Sequence, residues 1–242
     1  RTANPLAMAR HQNALLVAHA DATMVRLNLD DAVDDEADDD ATVRAQPPPL
    51  PRFSTAALTS SRLALGGADA DAAVYDVATS KRTWRARNLP NDELDLAIPV
   101  DVTSLSWLDA ANHGNVIATG HGYVAKRLRG EVRLYDVRAQ RRPVMRAIAP
   151  LGDERISAVA ADEARGVFAA TGAGSLARPE VRKDLAPGER YHGAAGSIRS
   201  IALHPTLPLV ACVGLERRAR VYRVGARATE LASVYLKQRL NA

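Results

Sequence analysis

Cysteine is nearly absent: Cys212 is alone in 242 residues, which excludes an internal disulfide framework and any zinc site built on several thiolates. A reducing compartment suits such a chain. No run of about 18 uncharged apolar residues occurs, so no membrane-spanning segment is expected. No charged-then-apolar leader follows Arg1, and an incomplete amino terminus is expected. Catalytic signatures are missing too, since there is no Walker loop, no G-x-S-x-G and no H-E-x-x-H. Six histidines, at 11, 19, 113, 121, 192 and 204, lack ligand spacing, so neither a metal nor another cofactor is expected. His121 reads as a strand-turn residue and His204 as a loop residue. Residues 172–177 (GAGSLA) superficially match a dinucleotide fingerprint, but β pattern surrounds them and a tight turn is the expectation. Asp69 and Asp71, in a Gly/Ala turn, read as solvated carboxylates. Aromatics number only ten (2 Trp, 6 Tyr, 2 Phe), yet 47% hydrophobic and 25% charged residues is a globular balance.

The formal charge of +4 hides an asymmetry. Eight acids, Asp30, Asp31, Asp34, Asp35, Glu36, Asp38, Asp39 and Asp40, crowd one short window. Without them, 20 acids of the 28 face 32 basic residues, a net of +12 on the remainder. Such a body suits a polyanion such as RNA; the competing reading is a solvated surface in an arginine-rich proteome. The acidic run leads into PPPLP at 47–51, and residues 30–52 read as a linker.

Helical periodicity is nearly absent, and short alternating apolar runs bounded by Gly, Pro, Asn or Asp predict an all-β chain. A repeat recurs: a strand, a strand rich in small residues ending in Gly or a small residue, then a strand near Val-x-Leu-Tyr-Asp-Val. Its clearest copy comprises 102–107 (VTSLSW), 115–120 (NVIATG), 131–137 (EVRLYDV) and 143–148 (PVMRAI). Other copies comprise 53–58, 63–67, 73–77 and 83–87, and then 198–205, 209–214, 219–224 and 231–236. Weaker copies begin near Asn4 and near Glu154, the second with an irregular continuation. Four-stranded units about 40 to 45 residues apart are propeller blades, because one such sheet cannot hide both faces and a ring of them can. Trp84 and Trp107 are expected in blade cores.

Asp76 and Asp136, each after a Tyr, stand where WD repeats carry Trp-Asp, while the usual Gly-His signal is reduced. Residues 85–100 (RARNLPNDELDLAIPV) form a polar connection that ordinary propellers do not need. With 119–122 (TGHG), 132–136 (VRLYD), 140–144 (QRRPV), 196–199 (GSIR), 204–209 (HPTLPL) and 234–241 (VYLKQRLN), this stretch resembles one WD-repeat family. That family is the nucleolar WD-repeat assembly factor of large ribosomal subunit (pre-60S) precursors, whose release depends on a AAA-type ATPase. The resemblance covers about residues 53–242 by repeat alignment. It implies one seven-bladed WD-repeat β-propeller over residues 1–242, interrupted at 30–52. It also implies a nuclear, nucleolar location, rRNA and assembly factors as partners, and no catalysis. Because five units are countable, the sequence in hand is expected to omit stretches of a longer one within 30–53, 122–131 and 176–193; a true five-bladed ring is the alternative.

Guanidinium forks on turns suit phosphate. The candidate contact residues are Arg85, Arg87, Arg141 and Arg142, with Arg217 and Arg218 on another turn; Arg220 and Arg223 read as solvent-pointing. Asn91, Asp92 and Asp95 call for a protein instead, the two carboxylates meeting a basic ribosomal partner. Competing readings are a WD-repeat adaptor for ubiquitin ligases or chromatin, and a propeller enzyme with a central-channel site.

Overall fold

A computed structural model describes residues 5–11, 14–19, 24–28, 53–79, 81–91, 94–109, 114–124, 129–148, 154–183, 185–225 and 228–238. Its strands form five antiparallel sheets, each pairing in sequence order. The first holds β1 (Pro5–His11), β2 (Ala14–His19) and β3 (Met24–Asn28). The second holds β4 (Phe53–Leu58), β5 (Arg62–Gly67), β6 (Ala70–Asp76) and β7 (Arg82–Arg85). The third holds β8 (Val102–Trp107), β9 (Val116–Val124), β10 (Arg129–Asp136) and β11 (Met145–Ile148). The fourth holds β12 (Ile156–Asp162), β13 (Gly166–Thr171), β14 (Leu176–Glu180) and β15 (Ala186–Tyr191). The fifth holds β16 (Ile198–Leu203), β17 (Leu209–Gly214), β18 (Arg218–Arg223) and β19 (Thr229–Tyr235). The opening strands β4, β8, β12 and β16 lie against one another in turn, and the closing strands lie outermost. These are blades of a β-propeller. Among the described residues no helix is long and apolar enough to cross a membrane.

Strand alternation feeds two seams from the third and fourth sheets. From the third sheet, Leu105, Trp107, Ile117 and Tyr135 pack toward Val74 and Trp84 of the second. Their neighbours Ala118, Val132 and Leu134 pack toward Ile156, Val159 and Val167 of the fourth. Phe168, Ala170 and Tyr191 in turn meet Val210, Cys212 and Tyr222 of the fifth. The small residues of the second strands let the sheets close. A Cβ on Gly66 would lie 2.7 Å from Val102 Cγ1, and one on Gly120 would lie 2.6 Å from Ile156 Cγ2.

Hydroxyls of the inner strands tie neighbouring blades together. Thr103 Oγ1 donates to Ile156 O at 2.8 Å, and Ser157 Oγ to Ile198 O at 2.6 Å. Ser104 Oγ and Ser106 Oγ accept from Val159 N and Ala161 N, each at 2.9 Å. These are edge amides of β12, which pairs on one side only and would otherwise leave buried donors unmet. One acceptor also follows each inner strand and caps its hairpin: Thr59 for Arg62 N, Asp109 for Val116 N, Asp162 for Ala164 N and His204 Nδ1 for Leu207 N. The aspartates at the Trp-Asp position cap the outer turns. Asp76 Oδ1 accepts from Thr79 N at 2.7 Å and Asp136 Oδ1 from Arg138 N at 2.9 Å, holding both carboxyls below their ordinary range against a burial effect of opposite sign.

Two expectations are corrected. Residues 176–193 do not interrupt the repeat: β14 and β15 pair through Leu176↔Tyr191 and Glu180↔Ala186 about a short 3-10 turn, Val181–Lys183. Pro179 hides this from a pattern search, but it sits where the register shifts between Arg178 and Glu180, a bulge that needs no amide donor. Likewise β9 and β10 continue to the pair Arg129↔Val124, so strand pairing runs well into 122–131. The segment 30–52 lies outside the described residues.

Trp107 is 4% exposed, with its indole N–H donating to Ala57 O at 3.0 Å across the seam. Trp107→Ala is expected to cost about 3–5 kcal/mol in urea unfolding; a loss under about 1 kcal/mol would show that this seam does not hold the second and third blades together.

Candidate docking edge

Sixteen residues separate Arg85 of β7 from Val102 of β8, against seven between β11 and β12 and six between β15 and β16. Both ends of this connection are built into the protein. Ala86, buried, donates its amide to Ala72 O at 2.7 Å, while Val100 O accepts from Asp69 N at 2.8 Å. Between those ends the chain turns outward, where Asn88 Nδ2 closes its root by donating to Ile98 O at 2.6 Å.

The outer turn of the third sheet docks on the start of this connection. Arg87 N donates to Arg141 O at 2.7 Å, and Arg141 Nε donates to Arg85 O at 2.8 Å. The structure thus brings Arg85, Arg87 and Arg141 to one corner of the perimeter, with Arg142 beside them, all four exposed. One carboxylate attends the corner: Asp71 Oδ2 lies 3.6 Å from Arg85 Nη2. Burial pushes the Asp71 carboxyl above its ordinary value, opposed by Arg85, Arg133 and Arg141. Asp71 is therefore a half-buried member of the seam rather than the solvated carboxylate expected; Asp69 is exposed in its turn, as read.

The other candidates separate. Asn91 Nδ2 donates to Asp95 Oδ1 at 2.8 Å and Asp95 O at 3.2 Å, so the Asp95 carboxylate already has an internal partner, and Asp92 lies outside the described residues. Arg217 and Arg218 belong to the fifth sheet and do not join the Arg85–Arg141 corner; Arg218 Nη1 donates to Ser233 Oγ at 3.1 Å. Arg220 corrects its sequence reading. It is not solvent-pointing but forks between Glu216 Oε1 at 2.8 Å and Glu230 Oε2 at 2.9 Å, its side chain 13% exposed.

Inside the same seam lies a group that the sequence did not reveal. Glu131 and Arg133 of β10 are fully buried and paired at 3.0 Å, and Arg146 of β11 binds the other Glu131 oxygen. Beside them His121 Nε2 lies 3.0 Å from buried Thr119 Oγ1. His121 is therefore a buried strand residue, not a turn residue. Burial first, then Arg133 and Arg146, hold its imidazole well below the ordinary histidine value. Arg133 Nε and Nη1 and His121 Nδ1 have no hydrogen-bond partner among the described residues.

At the axis, an open basin of about 640 Å³ is lined by Thr103, Glu154, Arg155, Ser157, Ser197 and Arg199 among others. Arg155 pairs there with Asp101 at 3.4 Å, so the basin mixes both signs and gathers no convergent acid–base set. Leu94 and Leu96 are the residues of the long connection that a reading for charge passes over; they are 66% and 50% exposed.

No protein-family model matches the chain. It is similar to WD repeat-containing protein 74 of Bos taurus, 34% identical over 182 residues that make up 74% of this chain and 44% of the relative. The Homo sapiens protein of that name is 31% identical over the same shares. A WD repeat-containing protein of Dictyostelium discoideum is 26% identical over 76% of this chain and 34% of its own. The chain thus spans less than half the length of the curated relatives it matches. With the five sheets, these similarities make it a WD-repeat protein of the β-propeller fold.

Glu131→Gln would leave Arg133 buried without its counter-ion, and a loss of about 3–5 kcal/mol in urea unfolding is expected. A second expectation concerns pH. The unfolded chain takes up a proton at His121 near its ordinary value, whereas the folded chain resists it. Stability is therefore intact above about pH 6.5 and falls as pH drops below it, by at most about 1.4 kcal/mol per pH unit for one proton. His121→Gln should flatten that fall; an unchanged slope between pH 7 and 5 would contradict the neutral buried imidazole.

Proposed function

We propose that this WD-repeat protein is a non-catalytic scaffold of large ribosomal subunit assembly that docks on precursor particles through rRNA and neighbouring assembly factors. The observation that carries the reading is the corner where one backbone hydrogen bond and one from the Arg141 side chain join Arg85, Arg87 and Arg141, all three exposed. Fixed guanidiniums on a rigid edge bind phosphate with little ordering cost, because the turn that carries them is already held. Arg142 extends the corner, and Arg217 and Arg218 form a second exposed or half-buried basic turn on the fifth sheet.

The resemblance of residues 85–144 and 196–241 to the nucleolar assembly factor supports the same reading, as does similarity to longer WD repeat-containing proteins. WD-repeat proteins typically act as scaffolds, which supports the non-catalytic part of the reading. On this reading the protein resides in the nucleus and nucleolus, and a AAA-type ATPase drives its release. The basic-partner role of Asp95 is set aside in favour of its bond to Asn91.

Reversing Arg141 and Arg142 to Glu should leave unfolding within about 0.5 kcal/mol of the parent and strongly weaken co-sedimentation with large-subunit precursors. The salt dependence of what remains should flatten, because fewer phosphate counterions are released. Normal co-sedimentation of the folded double variant at both low and raised salt would place the interface elsewhere.

A further inference from the structure

The 88–98 loop does more than join two sheets. The connections that follow the third and fourth sheets are less than half as long, and both ends of this one are fixed in the seam. Its middle could fold back over apolar surface; instead it carries Leu94 and Leu96 outward, 66% and 50% exposed. The presentation is built. Asn88 closes the root on Ile98 O, Leu89 N donates to Asn88 Oδ1 at 2.8 Å, and Asn91 clasps Asp95 through two acceptors. Asp95 between the leucines takes φ of 59°, a left-handed conformation that Asp adopts more readily than most residues other than glycine. A loop held in this conformation to hold two leucines in water has a surface to meet.

Resting on the reading above, we infer that Leu94 and Leu96 form an apolar knob that seats in a hydrophobic cleft of a protein in the precursor particle, its acidic rim facing Arg87, Arg141 and Arg142. Charge supplies the second half of the argument. The loop root at Asn88 follows Arg87, whose amide is bonded to Arg141, so the knob rises directly from the basic corner. Val144, 40% exposed, continues apolar surface on the far side of Pro143. An RNA partner fits the knob poorly. Single-stranded bases are gripped by aromatic stacking, residues 86–100 contain no aromatic, and leucine offers a phosphate nothing. A leucine pair on a loop whose root carries a basic corner instead matches a protein interface with an apolar centre and a charged rim on one side.

The test uses the full chain and large-subunit precursor particles stripped of the endogenous protein by a salt wash. Unaltered protein, Leu94→Ser with Leu96→Ser, and Arg141→Glu with Arg142→Glu are compared by co-sedimentation at low and raised salt, before and after nuclease digestion. Thermal unfolding of each variant serves as the folding control. The leucine variant should unfold like the parent and lose about tenfold in particle affinity at both salts. That loss should persist after digestion, whereas the arginine variant should lose mainly the salt-sensitive part. Retention of the leucine variant equal to the parent overturns the knob alone. A leucine-dependent component that vanishes on digestion assigns the loop to RNA and overturns it too. Failure of the unaltered protein to sediment with the particle overturns the scaffold reading and the knob with it.

Discussion

A sheet of four short strands with apolar residues on both faces cannot bury either face alone, and this constraint organises the protein. Ile117 and Ala118 are neighbours in β9 and both fully buried, yet they face different seams. A sheet with such a strand must be sandwiched, so each blade depends on the next. Close approach follows, which is why Gly66 and Gly120 are required where a methyl would strike Val102 or Ile156. Close approach also brings the inner strands within reach of one another's unpaired edges, and Ser104 and Ser106 satisfy amides that the sheet hydrogen bonds do not. The fifth sheet shows the constraint from the other side. Val210 and Cys212 are buried against the fourth sheet, while Ala211 and Val213, which alternate with them, are only half-buried.

The surplus of arginine divides by depth. Arg133 is buried with Glu131, Arg165 reaches from Asp162 of the fourth sheet to Pro205 O of the fifth, and Arg220 is forked between two glutamates. Desolvating such a guanidinium costs several kcal/mol unless its partner is fixed, so each of these arginines is held by an acid of its own sheet, and only Arg165 also bonds across a seam. Charge used in this way is unavailable to ligands. Because each of these arginines is balanced by one or two acids, the excess of +12 outside the acidic window is not diminished by them, and the perimeter corner holds part of it.

Fold legibility followed burial. The copies at 53–87, 102–148 and 198–236 were readable because both faces of their strands are apolar and their turns carry Asp or Gly, leaving one periodic solution. The fourth blade was harder because Pro179 and Pro187 speak against strand, and only the bulge and the outer position of β15 make them tolerable. Of the candidate site, the meeting of Arg85, Arg87 and Arg141 was legible as separate clusters but not as one corner, since it depends on where the outer turn of one blade falls against the last strand of another. The Glu131–Arg133–His121 group was hidden for a simpler reason: alternating Glu-x-Arg on a strand usually marks a solvent face, and only the stacked neighbour turns that face inward.

The two halves of the second-to-third seam therefore act on each other. Asp71 of β6 feels both Arg133 in the interior and Arg85 and Arg141 at the edge, so it links the buried charges to the exposed ones. Asp71 lies 3.6 Å from Arg85, and Arg141 Nε is held on Arg85 O, so two of the perimeter arginines have fixed partners beneath the loop that projects its leucines. Rigidity below and exposure above are the combination that binding surfaces exploit, because little conformational entropy remains to be lost when a partner arrives. In this protein that combination is concentrated on the seam between the second and third sheets.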